Sequence, residues 1–122
     1  MDDDDPLALV GIYKCPSHLT TTAFAQKVEA LMDAILAAPV TQRHILKYEL
    51  LVSNEDGDGH IQNLGMPSHQ GTVIIVAEWA SQKALTEVST DPGLVQILAR
   101  AKEEFNIHLD SSTFTVDVIR KK

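Results

Sequence analysis

The stretch "TQRHILKYELLVS", Thr41 to Ser53, decides the fold. Read as a strand, it puts His44, Leu46, Tyr48, Leu50 and Val52 on one face and Arg43, Ile45, Lys47, Glu49 and Leu51 on the other. Neither face is cleanly polar. A strand with leucines on both parities needs cover on both sides, and the rest of the chain has to supply it.

On the N-terminal side, "LALVGIYK" (Leu7 to Lys14) is a short apolar run broken by "CPSHLTTT", which reads as a first strand. From about Thr22 to Ala38, Phe24, Val28, Leu31, Ile35 and Leu36 recur at helical spacing, with N-cap hydroxyls at Thr20 to Thr22 and Pro39 after the last turn. On the C-terminal side, "NEDGDGHIQNLGMPSHQG" (Asn54 to Gly71) is a connection far longer than a hairpin needs, suited to a functional or interface loop. "TVIIVAEW" (Thr72 to Trp79) is β-branched and apolar on both parities, a third strand buried on both faces. Ser81 caps a short helix with Ala84, Leu85 and Val88, and Asp91-Pro92 opens another with Leu94, Ile97, Leu98, Ala101 and Phe105. In the last strand, Ser112 to Arg120, Phe114, Val116 and Val118 alternate with Thr113, Thr115 and Asp117.

The order β-α-β-β-α-β is the split unit of α+β ferredoxin-like folds, a four-stranded antiparallel sheet with its helices on one face. The second face, apolar in strands two and three, then needs a different cover. A second copy of the same sheet supplies it, and the expected assembly is a two-fold homodimer through the sheet face, a dimeric α/β barrel with helices outside. At about 25 cal/mol per Å², burying even ~400 Å² of apolar sheet per subunit is worth on the order of 10 kcal/mol before association costs.

Length and composition narrow the partners. The 122 residues suit one domain, expected over residues 7–122 behind an acidic disordered tail at 1–6. "DDDD" (Asp2 to Asp5) supplies four of the negative charges, so a net −7 leaves −3 for the remainder. An acidic chain with pI near 5.0 and no basic run beyond "RKK" lacks the surface that a phosphate backbone requires, so nucleic acid is not expected as a partner. Cys15 is the only cysteine, which leaves no intrachain disulfide or cysteine zinc cluster. With no apolar run near 20 residues and an acidic start, the expectation is a cytoplasmic protein with no membrane partner.

"YKCPSHLTTTAF" is similar to the EthD-type opening, in which a strand ending in Tyr-Lys leads through a proline loop to a Leu-Thr helix start with an early Phe. "HILKYEL" is similar to the second strand of methylmuconolactone isomerases. On these motifs the chain, from Leu7 to Arg120, resembles the dimeric α/β-barrel superfamily. The resemblance implies small, mostly apolar cyclic or aromatic substrates handled without metal or organic cofactor, by lactone isomerisation, polyketide cyclisation or decarboxylation, or oxygenation of anthrone-like phenols. The acid-base histidines of such relatives have no counterpart here. "MDAILAAP" has no histidine, and "DPGLV" offers Gly93 and Leu94 where a plant cyclase relative has one.

Catalytic candidates must therefore come from elsewhere. His44 and Tyr48 lie roughly 13 Å apart on one strand face, suited to opposite ends of one ligand. A neutral imidazole can take a proton and a phenol can donate to a developing enolate. Against this, His44 could be a solvated strand-end residue and Tyr48 a core aromatic with its hydroxyl at the rim. His69, just before strand three, could act as a lid group. Tyr13, Leu46, Leu50, Phe24, Val28, Trp79 and Glu78 are the candidate substrate-binding residues. Glu78 and Asp117 are carboxylates within apolar strands, able to serve as acid or base if desolvated, or else to pair with Lys14, Lys47 or Arg43. His60 is a loop residue and His108 complements a helix C-terminus. "EDGDGH" lacks the ligand spacing of an EF-hand and reads as a glycine turn with Asx bonds, so no metal site is expected.

The leading expectation is a cofactor-independent isomerase or cyclase for a small hydrophobic lactone or polyketide-type ring, with His44 shuttling a proton. The alternatives are a non-catalytic ligand-binding or stress-responsive barrel, and a cofactor-free monooxygenase or decarboxylase of aromatic polyketides.

Overall fold

The computed structural model describes residues 5–65, 71–107 and 111–121. Residues 1–4 of the expected tail lie outside them, and Asp5 and Pro6 are exposed. The elements are β1 (Leu7–Lys14), α1 (Thr21–Ala37), α2 (Pro39–His44), β2 (Ile45–Val52), α3 (Glu55–Ile61), β3 (Thr72–Trp79), α4 (Gln82–Thr90), α5 (Pro92–Phe105) and β4 (Ser111–Asp117). The strands form one antiparallel sheet in the order β2-β3-β1-β4, so the fold is the expected α+β ferredoxin-like one.

Local chemistry sets the helix ends. The hydroxyl of Thr20 accepts the N–H of Ala23 at 3.1 Å to open α1, Ser81 accepts that of Ala84 at 3.0 Å to open α4, and the Asp91 carboxylate accepts that of Leu94 at 3.1 Å ahead of Pro92. Asn106 closes α5 in the left-handed conformation, with φ at 53°. Along α1, Phe24, Val28, Leu31 and Met32 are buried on one stripe, packed with Val73 and Ile75 of β3 and with Ala101 and Phe105 of α5. The rings of Phe24 and Phe105 meet edge to face, with centroids 6.3 Å apart.

Strand two is shorter than its sequence pattern suggests. Pro39 does not merely follow α1. Ala38 ends α1 in an extended conformation and Pro39 then occupies the first position of α2, which carries Val40 and Thr41 into the core and His44 at its end. His44 is thus a helix residue rather than a strand residue. β2 then begins with a bulge, because Ile45 pairs with Trp79 and Lys47 with Glu78, leaving Leu46 without a partner. The extra residue inverts the parity expected at the strand's start. Ile45 joins Tyr48 and Leu50 on the helix side, while Leu46 is 57% exposed.

The long connection after β2 holds α3 and a short 3-10 turn (Gln62–Leu64), and Asn54 Oδ1 accepts the N–H of Gly57 at 2.9 Å. "EDGDGH" therefore winds as a helix behind an asparagine cap instead of forming a plain glycine turn. β4 ends at Asp117, three residues before the expected Arg120.

The register separates the two sheet faces. Leu9, Gly11 and Tyr13 of β1 lie beside Ala77, Ile75 and Val73 of β3 and face the helices. The opposite face carries rows of apolar neighbours, Leu51–Ile74–Ile12 and Val76–Val10–Phe114. Ile12, Leu51 and Phe114 are 36%, 46% and 45% exposed, so this face is greasy and open to water in the isolated chain. Among the described residues, no helix is long and apolar enough to cross a membrane.

Candidate functional site

Between the sheet and its helices lies a cavity of about 320 Å³, at the lower end of the size range of small-molecule sites. Its floor is the helix-facing side of the sheet, with Leu9 and Tyr13 from β1, Tyr48 from β2, Ile75, Ala77 and Trp79 from β3, and Ser111 and Thr113 from β4. Leu31 and Ile35 of α1, Leu85, Val88 and Ser89 of α4, and Leu94, Val95, Leu98 and Lys102 of α5 close it from above. Val95 and Leu98 are 53% and 41% exposed, which puts the mouth along the outer flank of α5. Ala77 stands in the floor on β3, where a larger side chain would extend into the hollow.

The wall is mostly hydrocarbon, with a few polar groups set into it. The Tyr13 ring folds back across Gly11, where an added Cβ would come within 2.5 Å of the phenol oxygen and 2.6 Å of the ring. A side chain at position 11 would displace that ring. Gly11 is thus a positioning residue whose only signal in the sequence is a glycine interrupting an apolar strand. Trp79 is 4% exposed, and its indole Nε1 has no hydrogen-bond partner among the described residues. A buried donor without an acceptor is costly and unusual.

Tyr48 is the partition of the site. It lines this cavity and also a second, more open recess of about 400 Å³ between α1 and β2, bounded by Glu29, Met32, Asp33, Leu36, Leu50 and Val52. Burial pushes its phenol well above the usual tyrosine range, and the neighbouring Tyr13 and Asp33 side chains push in the same direction. The hydroxyl therefore stays protonated across the ordinary pH range and acts as a hydrogen-bond donor. Above pH 10 the unfolded phenol ionises before the folded one, so the folded state loses stability as pH rises further. In urea titrations between pH 9 and 11 the native protein should weaken more steeply than Tyr48→Phe; parallel losses would contradict this environment.

Of the expected site residues, Tyr13, Tyr48 and Trp79 meet in the cavity. The others go elsewhere, each for a structural reason. His44 sits at the end of α2 with its Nε2 against the Glu87 carboxylate of α4, tying those helices together outside the cavity wall. Phe24 and Val28, at 1% and 0% exposure, are buried too deeply to line the cavity and serve as core. Leu46 is turned out by the bulge, and Leu50 lines the second recess instead.

Glu78 points to the open face, in register with Ala8 and Lys47, where Nη2 of Arg120 donates to both carboxylate oxygens at 2.9 and 2.7 Å. The carboxylate thus pairs, with Arg120 rather than with Lys14, Lys47 or Arg43. His60 is exposed in α3. His69 and His108 lie outside the described residues. The α4 and α5 residues of the wall, Lys102 above all, were not picked out from the sequence, because their periodicity reads as ordinary helix amphipathicity.

No protein-family model matches the chain, and no curated protein does. Solved structures do. SnoaB, a cofactor-independent oxygenase from Streptomyces nogalater, superposes with a TM-score of 0.62 at 11% identity, covering 95% of each chain. A structure described as an antibiotic biosynthesis monooxygenase gives 0.58 at 13% identity over 93% of this chain and 99% of that one. A dimeric ferredoxin-like protein of unknown function from Thermobifida fusca gives 0.60 at 13% identity over 93% and 91%. At these identities the likeness establishes the fold.

Proposed function

We propose that the chain is a cofactor-independent enzyme acting on an apolar, enolisable ring ketone or phenol of the aromatic polyketide type, and that the reaction is oxygenation. The observation that carries this reading is the pair of phenols, Tyr13 and Tyr48, set with the Trp79 ring into a mostly apolar cavity. Such a wall holds a flat hydrophobic ring and offers donors to its oxygen atoms as negative charge builds there.

Among the described residues the wall has no histidine or carboxylate to shuttle a proton, which disfavours the isomerase or cyclase reading. An anthrone-like methylene flanked by two aromatic rings is itself acidic and supplies its own electrons. Its CH₂ becomes a carbonyl while dioxygen is reduced, one oxygen atom entering the product and the other leaving as water. The likeness to SnoaB and to the antibiotic biosynthesis monooxygenase supports this class of chemistry.

Tyr48 holds the ring oxygen, Tyr13 and Trp79 orient the ring, and the hydrocarbon wall excludes bulk water. The open sheet face supports a homodimer as the working form, as in the dimeric Thermobifida neighbour.

Oxygen uptake with 1,8-dihydroxyanthrone, measured against protein-free autoxidation, tests the reaction. The native protein should accelerate formation of the anthraquinone, and Tyr48→Phe should lower kcat by about 10² while still binding the ring. Binding without acceleration would instead support a non-catalytic ligand carrier, and absence of binding would end the reading.

A further inference from the structure

We propose that the ring system held in this cavity carries a carboxylate, and that Lys102 binds it at the mouth. This inference deepens the reading of the cavity given above and rests on it. Lys102 is the one lysine, arginine, histidine or carboxylate side chain of the described wall. The chain bears a net −7, −3 of it outside the Asp2 to Asp5 run, so its overall charge does not favour an organic acid. A lysine in the last turn of a helix is favoured by the helix dipole whatever its surroundings. What sets Lys102 apart is that no ion pair among the described residues takes up its charge.

The positions that could pair with it along α5 and just beyond, three and four residues away, are Leu98, Ala99, Phe105 and Asn106, none of them acidic. Glu103 and Glu104 adjoin it in sequence but point around the helix. Lys102 forms no ion pair among the described residues. On the facing edge strand, Thr113 and Ser111 line the same cavity. An ammonium group on one helix of a wall that is otherwise mostly hydrocarbon suits an apolar acid. Its rings lie on Ala77 and Ile75 and its carboxylate remains at the rim, partly solvated.

The test compares two ligands of one shape. Calorimetric titration with 2-naphthoate and with neutral 2-acetylnaphthalene should show the acid binding at least roughly tenfold tighter to the native protein. Lys102→Met keeps the aliphatic stem and removes the charge; it should erase that preference while leaving the ketone's affinity unchanged, and Lys102→Arg should retain the preference. Equal affinities in the native protein, or a preference that survives in Lys102→Met, would overturn the assignment of Lys102 while leaving the cavity as a ligand site. Failure of both ligands to bind would remove the cavity reading and this inference together.

Discussion

Ile74→Asp should convert the protein from a dimer to a monomer. Ile74 lies between Leu51 and Ile12 at the centre of the open sheet face, on the central strand β3. In an isolated chain an aspartate there meets water, because Ile74 is only half-buried and the neighbours on either side are exposed. Against a second sheet, the same carboxylate would be stripped of water opposite hydrocarbon, at a cost of several kcal/mol in each subunit. Light scattering coupled to gel filtration should give twice 13.4 kDa for the native protein and 13.4 kDa for the variant, with the helical circular dichroism retained. A native protein that already elutes as a single chain would remove the need for the sheet-to-sheet interface.

Ala77→Leu should abolish ligand binding, and turnover with it, without unfolding the protein. Ala77 is 3% exposed in the middle of the cavity floor, flanked in register by Tyr48 and Leu9. Enlarging a residue in a fully packed core usually costs 1–3 kcal/mol, but here the added carbons enter existing empty space, so the cost should be about 1 kcal/mol or less. Quenching of Trp79, the only tryptophan, reports the outcome directly, because its indole forms part of the same wall. An aromatic ligand that quenches the native protein should leave Ala77→Leu unchanged. Undiminished quenching would place the ligand elsewhere.

Particular residues show what the sequence reveals and what it conceals. The element order, the caps at Thr20, Ser81 and Asp91, and the apolar rows on both faces of β3 follow from local periodicity and hydrogen-bonding chemistry, and the structure contains each of them. Tyr13, Tyr48 and Trp79, aromatic residues with a polar tip inside apolar strands, line the cavity. The start of β2 was not legible in the pattern. A proline after a helix normally marks its end, and only the extended conformation of Ala38 allows Pro39 to begin another.

The bulge at Leu46 is a property of two strands. It arises where β2 pairs with β3, and no pattern within β2 alone reveals it. One inserted residue was enough to turn Leu46 outward, and the extra helix took His44 away from the strand. Lys102 escaped notice for the opposite reason, since an exposed lysine on an amphipathic helix is ordinary until the helix is seen to roof a cavity.

Native mass spectrometry of the freshly isolated protein, before and after addition of 1,8-dihydroxyanthrone, tests the combined picture of a sheet-to-sheet dimer with a ligand hollow under each set of helices. The spectrum expected is a two-chain species that takes up as many as two ring molecules, with uptake lost in Ala77→Leu. A single-chain species that takes up none would contradict both the covered sheet and the occupied cavity.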